Sequence, residues 1–133
     1  GAFIAEYITE IRDFANALDT DLNFIKDATL DAATEIEAIT QFIIEQAAEN
    51  VEFPNSTAVD YLSAVGLLSF SYMFAKIAAA AKDKSGDFYQ NKLALAQYFV
   101  DRILPELDSR LAKIKSGSDL IMNFSEDYFT NQA

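Results

Sequence analysis

The chain has 133 residues, of which 51% are hydrophobic and 13% aromatic, with four glycines and two prolines. These values exclude a disordered or collagen-like chain and favour one domain with a substantial core. Ten basic residues stand against 21 acidic ones, which gives a net charge of -11. Such a chain repels nucleic acid and anionic membrane surfaces, because both are bound mainly through Lys and Arg.

Cysteine and histidine are both absent. Their absence excludes disulfides, zinc-finger sites, thiol nucleophiles and every catalytic arrangement that uses histidine as a base. A chain without cysteine is typical of a reducing compartment, so we expect a cytoplasmic protein. The chain begins at Gly1 rather than at a methionine, which we interpret as a processed or excised fragment.

The first predicted helix runs from about Ile4 to Leu18. Its apolar residues recur at steps of three and four, which places them in one stripe on a helix. The stripe consists of Ile4, Tyr7, Ile8, Ile11, Phe14, Ala15 and Leu18. The connection from Asp19 to Thr29 is ambiguous, since its apolar residues suit either a helical extension or a packed loop.

A second helix is predicted from about Leu30 to Asn50, with Ile36, Ile39, Ile43 and Ala47 as its core line. Residues 51–56 carry the clearest loop signal in the chain. Pro54 lacks a backbone donor and disfavours helical geometry at the preceding residue.

The third helix is predicted over Ala58–Lys82, with Thr57 as its cap. It is apolar nearly all round, so it is either the central helix of a bundle or packs on something outside this chain. Only 15 residues, Tyr61 to Ala75, are uncharged before Lys76. Because about 20 are normally needed to span a membrane, we expect no transmembrane segment. We interpret Gly66 and the serines of this helix as small residues that let helices approach and that bond back to their own backbone.

After a polar turn over residues 82–86, Asp87 caps a fourth helix that runs from Phe88 to about Lys115. Pro105 lies inside this helix and should kink or split it. Gly117 is predicted to close the helix in the left-handed conformation, and residues 118–123 to form one short turn. The core stripe of the fourth helix is Leu93, Ala96, Val100, Ile103, Leu107, Leu111 and Ile114.

These elements predict an all-α protein: an antiparallel four-helix bundle with a Pro-kinked last long helix. The bundle should form a single domain over residues 1–124. Residues 125–133 should form a polar C-terminal tail.

Two polar patterns are candidates for binding an ion. The carboxylates of Asp31, Glu35, Glu45 and Glu49 share one helix face and suit a hard cation. A solvated acidic face is the better interpretation on so acidic a chain, so no metal ligand is assigned. The lysines around the turn at residues 82–86 suit a phosphate, but aspartates stand among them and we favour a solvated turn. No residue is assigned a catalytic or cofactor-binding role.

A second face of the fourth helix is the most informative feature. Phe88, Leu95, Tyr98 and Arg102 project away from its core stripe, and Phe42 and Ile44 lie off the core line of the second helix. Exposed apolar and aromatic residues beside an arginine are typical of an interface. A kinked bundle that buries two faces of its longest helix explains the same pattern, and the sequence leaves both interpretations open.

Three segments resemble a known family: DYLSAVGLLSFSYMFAKIA over residues 60–78, FYQNKLALAQYFVDRILPEL over residues 88–107 and SGSDLIM over residues 116–122. They are similar to the C-terminal helical extension of a subgroup of acyl-CoA dehydrogenases. The matching residues are Tyr61, Leu62, Gly66, Phe88, Tyr89, Lys92, Leu93, Ala94, Phe99, Leu104, Pro105, Gly117 and Met122. Gln97 stands where the resemblance leads us to expect a basic residue.

The resemblance implies a parent flavoprotein that oxidises acyl-CoA thioesters in fatty acid metabolism, with FAD as its cofactor. The catalytic and flavin-binding parts of such enzymes lie upstream of the extension, so this chain is expected to have no catalysis of its own and to meet acyl-CoA only through the parent. The implied partner is the dehydrogenase body of the same polypeptide, a second subunit of an oligomer, or both. The alternative is a stand-alone helical-bundle module that binds other proteins.

Overall fold

A computed structural model describes the backbone of residues 2–123 and the side chains of residues 2–117. Five α-helices follow one another along the chain, and no strand occurs within residues 2–123. The helices are α1 (Ala2–Asn16), α2 (Asn23–Glu49), α3 (Phe53–Ala81), α4 (Asp87–Tyr98) and α5 (Glu106–Asn123). The prediction of an all-α bundle is confirmed. The predicted tail at residues 125–133 lies outside the described residues.

Contacts between the helices show an antiparallel order. Thr29 of α2 meets Ser71 of α3, while Thr40, further along α2, meets Tyr61, which is earlier in α3. The later α4–α5 rod runs antiparallel to α3 in the same way, with Phe99 stacked on Phe74 and Arg110 bonded to Asp60.

The pair α2 and α3 forms the centre of the domain. On α2, Thr34 and Glu37 bond to Arg12 of α1. Glu35 and Ile39 instead line a groove of about 470 Å³ against α5. These two pairs of residues lie on opposite flanks of α2, so α1 and α5 cover the central pair from opposite sides. Among residues 2–123, no other helix covers the outer faces of α2 and α3.

The core forms two clusters of buried side chains. The larger one joins α1, α2, α3 and α5 and includes Ile11, Ile36, Leu68 and Ile114, which are all fully buried. The smaller one lies where α4 packs on α3, around Ile25, Ala75, Ala78 and Ala96. The core lines predicted for α1 and α2 are confirmed at Ile8, Ile11, Ile36 and Ile39.

The starts of α2 and α3 differ from the predicted ones, each for a local reason. The ambiguous connection is a short 3₁₀ turn over Thr20–Leu22 followed by seven further residues of α2. Helix α3 begins at Phe53 rather than at residue 58, because Pro54 occupies its first turn, where a missing backbone donor costs nothing. Thr57 is therefore not a cap: it is buried and donates a hydrogen bond to the Phe53 carbonyl at 3.0 Å.

The ends of the fourth predicted helix also differ. Gly86, with φ of +107°, is the residue before α4, and Asp87 is the first helical residue rather than the cap. At the other end Gly117 does not close the helix, since α5 continues to Asn123. The positive φ favours glycine at residue 86.

The predicted kink at Pro105 is confirmed as a break between α4 and α5. A wide π-helical turn over Phe99–Ile103 precedes the proline, and the Leu104 N–H donates to the Phe99 carbonyl at 2.8 Å. Because Pro105 has no N–H, the Asp101 carbonyl has no partner in the ordinary helical pattern, and the chain widens here. The extra residue in this turn rotates Ile103 outward, so this predicted core residue is 42% exposed.

Candidate interaction surface

The predicted face of α4 is exposed. Phe88, Leu95 and Tyr98 are 65%, 51% and 55% exposed. They lie on one side of α4, and Lys92 covers one end of this side with its ammonium 5.1 Å from the centre of the Phe88 ring. Arg102 is also exposed but sits within the π-helical turn.

The structure does not join Phe42 and Ile44 to this face. Phe42 is half-buried and packs edge-on against Phe53, at the start of α3, with ring centres 5.9 Å apart. Ile44 is 50% exposed and lines a groove between α1 and α2. Phe88 lies beyond the other end of α3, which is about 40 Å long. The six predicted residues therefore belong to three separate places.

A larger exposed apolar surface runs along α3. Its exposed members are Val59, Leu62, Phe70 and Met73, at 73%, 69%, 52% and 43% exposure. Together with Gly66 they recur at steps of three or four residues and so share the outer face of the helix. We call the face formed by Val59, Leu62, Gly66, Phe70, Met73 and Ile77 the α3 stripe. It contains no charged residue.

Sequence reasoning identified α3 as apolar on every side but did not locate this face. An all-apolar helix has no polar side to mark which face meets water, so periodicity alone gives no answer. The signal that was present is the position of its charges. Asp60 and Lys76 both fall off the stripe, since Asp60 bonds to Arg110 and Lys76 covers the Tyr72 ring.

Gly66 lies at the middle of the stripe. A Cβ added to it would meet nothing of the described residues within 4 Å apart from the backbone of its own helix. The prediction that Gly66 lets helices of this domain approach closely is therefore wrong. The serines were also misjudged in part: Ser69 accepts a hydrogen bond from Tyr7 at 2.9 Å, and Ser71 pairs with Thr29 at 2.7 Å, so both join different helices.

The two sides of the stripe differ. Toward α1, Phe3 is 76% exposed and stacks on Tyr7. Toward α5 there is a groove of about 270 Å³, lined by Ser63, Gly66, Leu67, Phe70, Glu106 and Arg110. In this groove Arg110 bonds to Asp60 at 3.0 Å, while its buried Nε makes no hydrogen bond and lies 3.5 Å from Glu106.

The acidic residues of α2 do not converge. Asp31 and Glu49 are separated by 18 residues, or about 27 Å of helix. Within residues 2–117, whose side chains the structure describes, no three Asp or Glu side chains lie where they would hold a metal ion together. Burial, with help from Asp108 and Asp31, raises the pKa of Glu35 above its ordinary value, and Lys115 opposes the change.

The basic residues near the turn at 82–86 are engaged within the chain. Lys82 forms ion pairs with Asp19, Asp21 and Asp83, and the hydrogen bond to Asp19 is the main reason that the pKa of Lys82 is raised. Lys84 covers the Tyr89 ring at 5.0 Å. These contacts support the solvated-turn interpretation over a phosphate site.

Helix α3 is long and apolar enough to cross a membrane, judged by length and composition, and 44% of its most apolar window is buried in the domain. A core helix of a soluble protein has the same properties. Ala64, Leu68 and Ala75 of α3 are fully buried against other helices, which is the position of a core helix.

Together these features define an all-α bundle domain with an uncharged apolar face. A family model described as "Acetyl-CoA dehydrogenase C-terminal like" matches residues 7–125. The chain therefore belongs to this family of C-terminal helical domains of acyl-CoA dehydrogenase-like proteins. The match extends from within α1 through the other four helices, and so includes most of α1 and all of α2, which carry no motif of the resemblance. Neither the curated proteins nor the solved structures gave a match to this chain.

Proposed function

We propose that the chain is the C-terminal helical domain of an acyl-CoA dehydrogenase-like flavoprotein and packs on the enzyme body or on a neighbouring subunit. The family match over residues 7–125 is the observation that carries this proposal. The exposed α3 stripe supports it, because a domain that is always covered by a partner retains apolar residues on the covered face.

The domain has no catalysis of its own in this proposal. FAD and the acyl-CoA belong to the parent enzyme. The glycines at 66, 86 and 117 are isolated from one another, and the lysines of the 82–92 region are paired within the chain or cover aromatic rings. We derive no chemical step through the flavin, and we place the parent in the cytoplasm.

The test begins with the source transcript upstream of Gly1. A reading frame that continues into a flavin-binding dehydrogenase body supports the proposal, and the purified parent should then show a flavin absorbance spectrum and oxidise acyl-CoA. Removal of residues 1–133 from that parent should leave a body that is less stable or less assembled. A parent without a dehydrogenase body contradicts the proposal.

The alternative is a stand-alone bundle that binds other proteins. The α3 stripe supports this alternative as much as it supports the first, because exposed apolar residues suit either kind of covering protein. The two functions differ in the upstream sequence, so the same first experiment separates them.

A further inference from the structure

We infer that the α3 stripe pairs with the same stripe of a second copy of this chain, related by a two-fold axis that passes near Gly66. The inference deepens the proposed function and rests on it in one respect, because it identifies the neighbouring subunit as another copy of this domain. The surface itself is defined by the structure alone.

The spacing of the stripe is symmetric about Gly66. Val59 and Leu62 lie seven and four residues before it, and Phe70 and Met73 lie four and seven residues after it. A two-fold interface uses one patch twice, so residue i meets residue j and residue j meets residue i. Antiparallel pairing about Gly66 places Leu62 opposite Phe70 of the other copy, and Val59 opposite Met73. Each large side chain then meets a smaller one.

The open space at Gly66 fits this arrangement. Glycine in a helix interior costs about 1 kcal/mol relative to alanine, and a Cβ at Gly66 would meet no side chain and no other helix of the described residues within 4 Å. No contact inside the domain therefore requires a glycine here. A second helix that crosses at this point can approach closely only where side chains are absent. Close contact with such a helix would explain why the residue is glycine.

The area of the stripe also suits a second copy, and the charge beside it is small. The stripe extends about 30 Å along the helix. If Phe3 is covered together with the stripe, two copies would bury on the order of 1,000 Å² of surface in total. This area is near the lower limit of a specific interface. On the α5 side the stripe is bordered by Arg110, which pairs with Asp60 and lies 3.5 Å from Glu106. The three charges sum to -1, so this border adds one net negative charge to each copy.

The net charge of -11 predicts how a dimer of this chain should respond to salt. Two such chains repel each other at long range, and salt screens this repulsion while leaving apolar contact intact. A dimer held by the α3 stripe should therefore become tighter as salt increases. A partner attracted to the acidic surface through Lys and Arg would instead be released.

Sedimentation equilibrium on the chain, at low and high salt, tests the inference. We expect a monomer–dimer equilibrium that shifts toward dimer at high salt. Because each substitution occurs twice in the dimer, Leu62→Glu should weaken association on the order of a hundredfold. Leu95→Glu is the matched control, since it alters an exposed leucine on the α4 face, and it should leave association unchanged.

Loss of folding is controlled in two ways. Leu62 is 69% exposed. The circular dichroism spectrum and the melting temperature of the diluted L62E variant should therefore match those of the unsubstituted chain. Gly66→Ala should keep or raise the melting temperature of the monomer and still weaken the dimer, because the added Cβ has space in one copy but not between two.

Three results would overturn the inference. One is a chain that stays monomeric at all concentrations and salt levels. Another is a dimer that survives L62E and is lost in L95E. A third is a monomer that binds phosphatidylcholine vesicles through Leu62, since the stripe would then meet lipid. The presence or absence of a dehydrogenase body upstream tests the proposed function but not the pairing of the α3 stripe. Either proposal can therefore fail without the other.

Discussion

The two central helices have similar inner faces but opposite outer faces. Inside, Ile36 and Ile39 of α2 and Ala64 and Leu68 of α3 are all buried in one core cluster. Outside, α2 presents mostly polar and acidic residues, all exposed, while α3 presents the apolar stripe. The outer residues of α2 are Asp27, Asp31, Thr34, Ala38, Gln41, Glu45 and Glu49.

This difference separates what the fold requires from what it does not. Both helices have equivalent positions in the bundle, so the fold alone gives α3 no reason to keep Leu62 or Phe70 on its outer face. The outer face of α2 shows that polar residues suit such a position in this same domain. The apolar residues of the α3 stripe therefore indicate a covering partner rather than a need of the core.

The largest expected effect compares two leucines on the same helix. Leu68 is fully buried and Leu62 is 69% exposed. Leu68→Ala should lower the free energy of unfolding by about 3 kcal/mol, because it leaves a cavity between α2 and α3. Leu62→Ala should change that of the diluted monomer by less than about 0.5 kcal/mol. Urea unfolding at low protein concentration measures both, and equal losses would contradict the assignment of the two faces.

The next prediction concerns the buried polar contact between the inner faces. Thr29 and Ser71 are both fully buried, and their hydroxyl oxygens are 2.7 Å apart. Ser71→Ala should cost about 1–2 kcal/mol, since it leaves the Thr29 hydroxyl with only a long contact to the Ser71 carbonyl.

The double variant provides the control for this pair. With Thr29→Val added to Ser71→Ala, no unpaired hydroxyl remains, so the double variant should be less destabilised than the two single losses added together. Strict additivity in urea unfolding would show that the two hydroxyls do not stabilise the α2–α3 contact as a pair.

The third prediction has the opposite sign. Gly66→Ala should raise the free energy of unfolding of the monomer by roughly 0.5–1 kcal/mol, because alanine loses less backbone entropy in a helix and its Cβ meets no atom of the chain. Gly117→Ala is a useful comparison, since its Cβ would lie 3.9 Å from the Thr57 methyl group in ordinary contact. A destabilised G66A monomer would show that the outer face of α3 is covered within the chain.

The smallest effect contrasts two glutamates on opposite flanks of α2. Burial raises the pKa of Glu35, so its stabilising effect is present below its ordinary value of 4.5 and is lost as pH rises through the folded value. Glu35→Gln should therefore raise the melting temperature at pH 7, and the gain should vanish near pH 4.

Glu37 should behave in the reverse way. A two-point hydrogen bond from Arg12, at 2.9 and 3.1 Å, lowers the pKa of Glu37. Its contribution is present above the ordinary value and is lost as pH falls through the folded one. Glu37→Gln should lower the melting temperature slightly at pH 7 and have no effect near pH 3. Parallel pH profiles for the two variants would refute this contrast.

Much of the bundle can be predicted from the sequence, because the spacing of apolar residues in an amphipathic helix identifies its buried face. The core lines of α1 and α2 were predicted on this basis. The start of α3 was missed because Pro54 breaks a helix interior but is accepted in a first turn, and the residue alone does not distinguish these cases. Ile103 was misplaced because its burial depends on the π-helical turn, which shifts the register by one residue.

The candidate surface was harder to predict. Phe88, Leu95 and Tyr98 stand out because α4 is otherwise polar on that side. The α3 stripe does not stand out, since its residues resemble those of the inner face, and only the positions of α1, α2 and α5 show which side is left open. Phe42 was assigned to the surface although it packs on Phe53, because the start of α3 was placed too late.

Hydroxyl-radical footprinting over a range of protein concentrations tests the central claim most directly, because Phe70 and Met73 of the stripe and Phe88 and Tyr98 of α4 all react when exposed. The account predicts that Phe70 and Met73 become protected as the chain assembles, while Phe88 and Tyr98 react at a constant rate. Protection of Phe88 and Tyr98 with Phe70 and Met73 left reactive would place the interface on α4 and contradict the account.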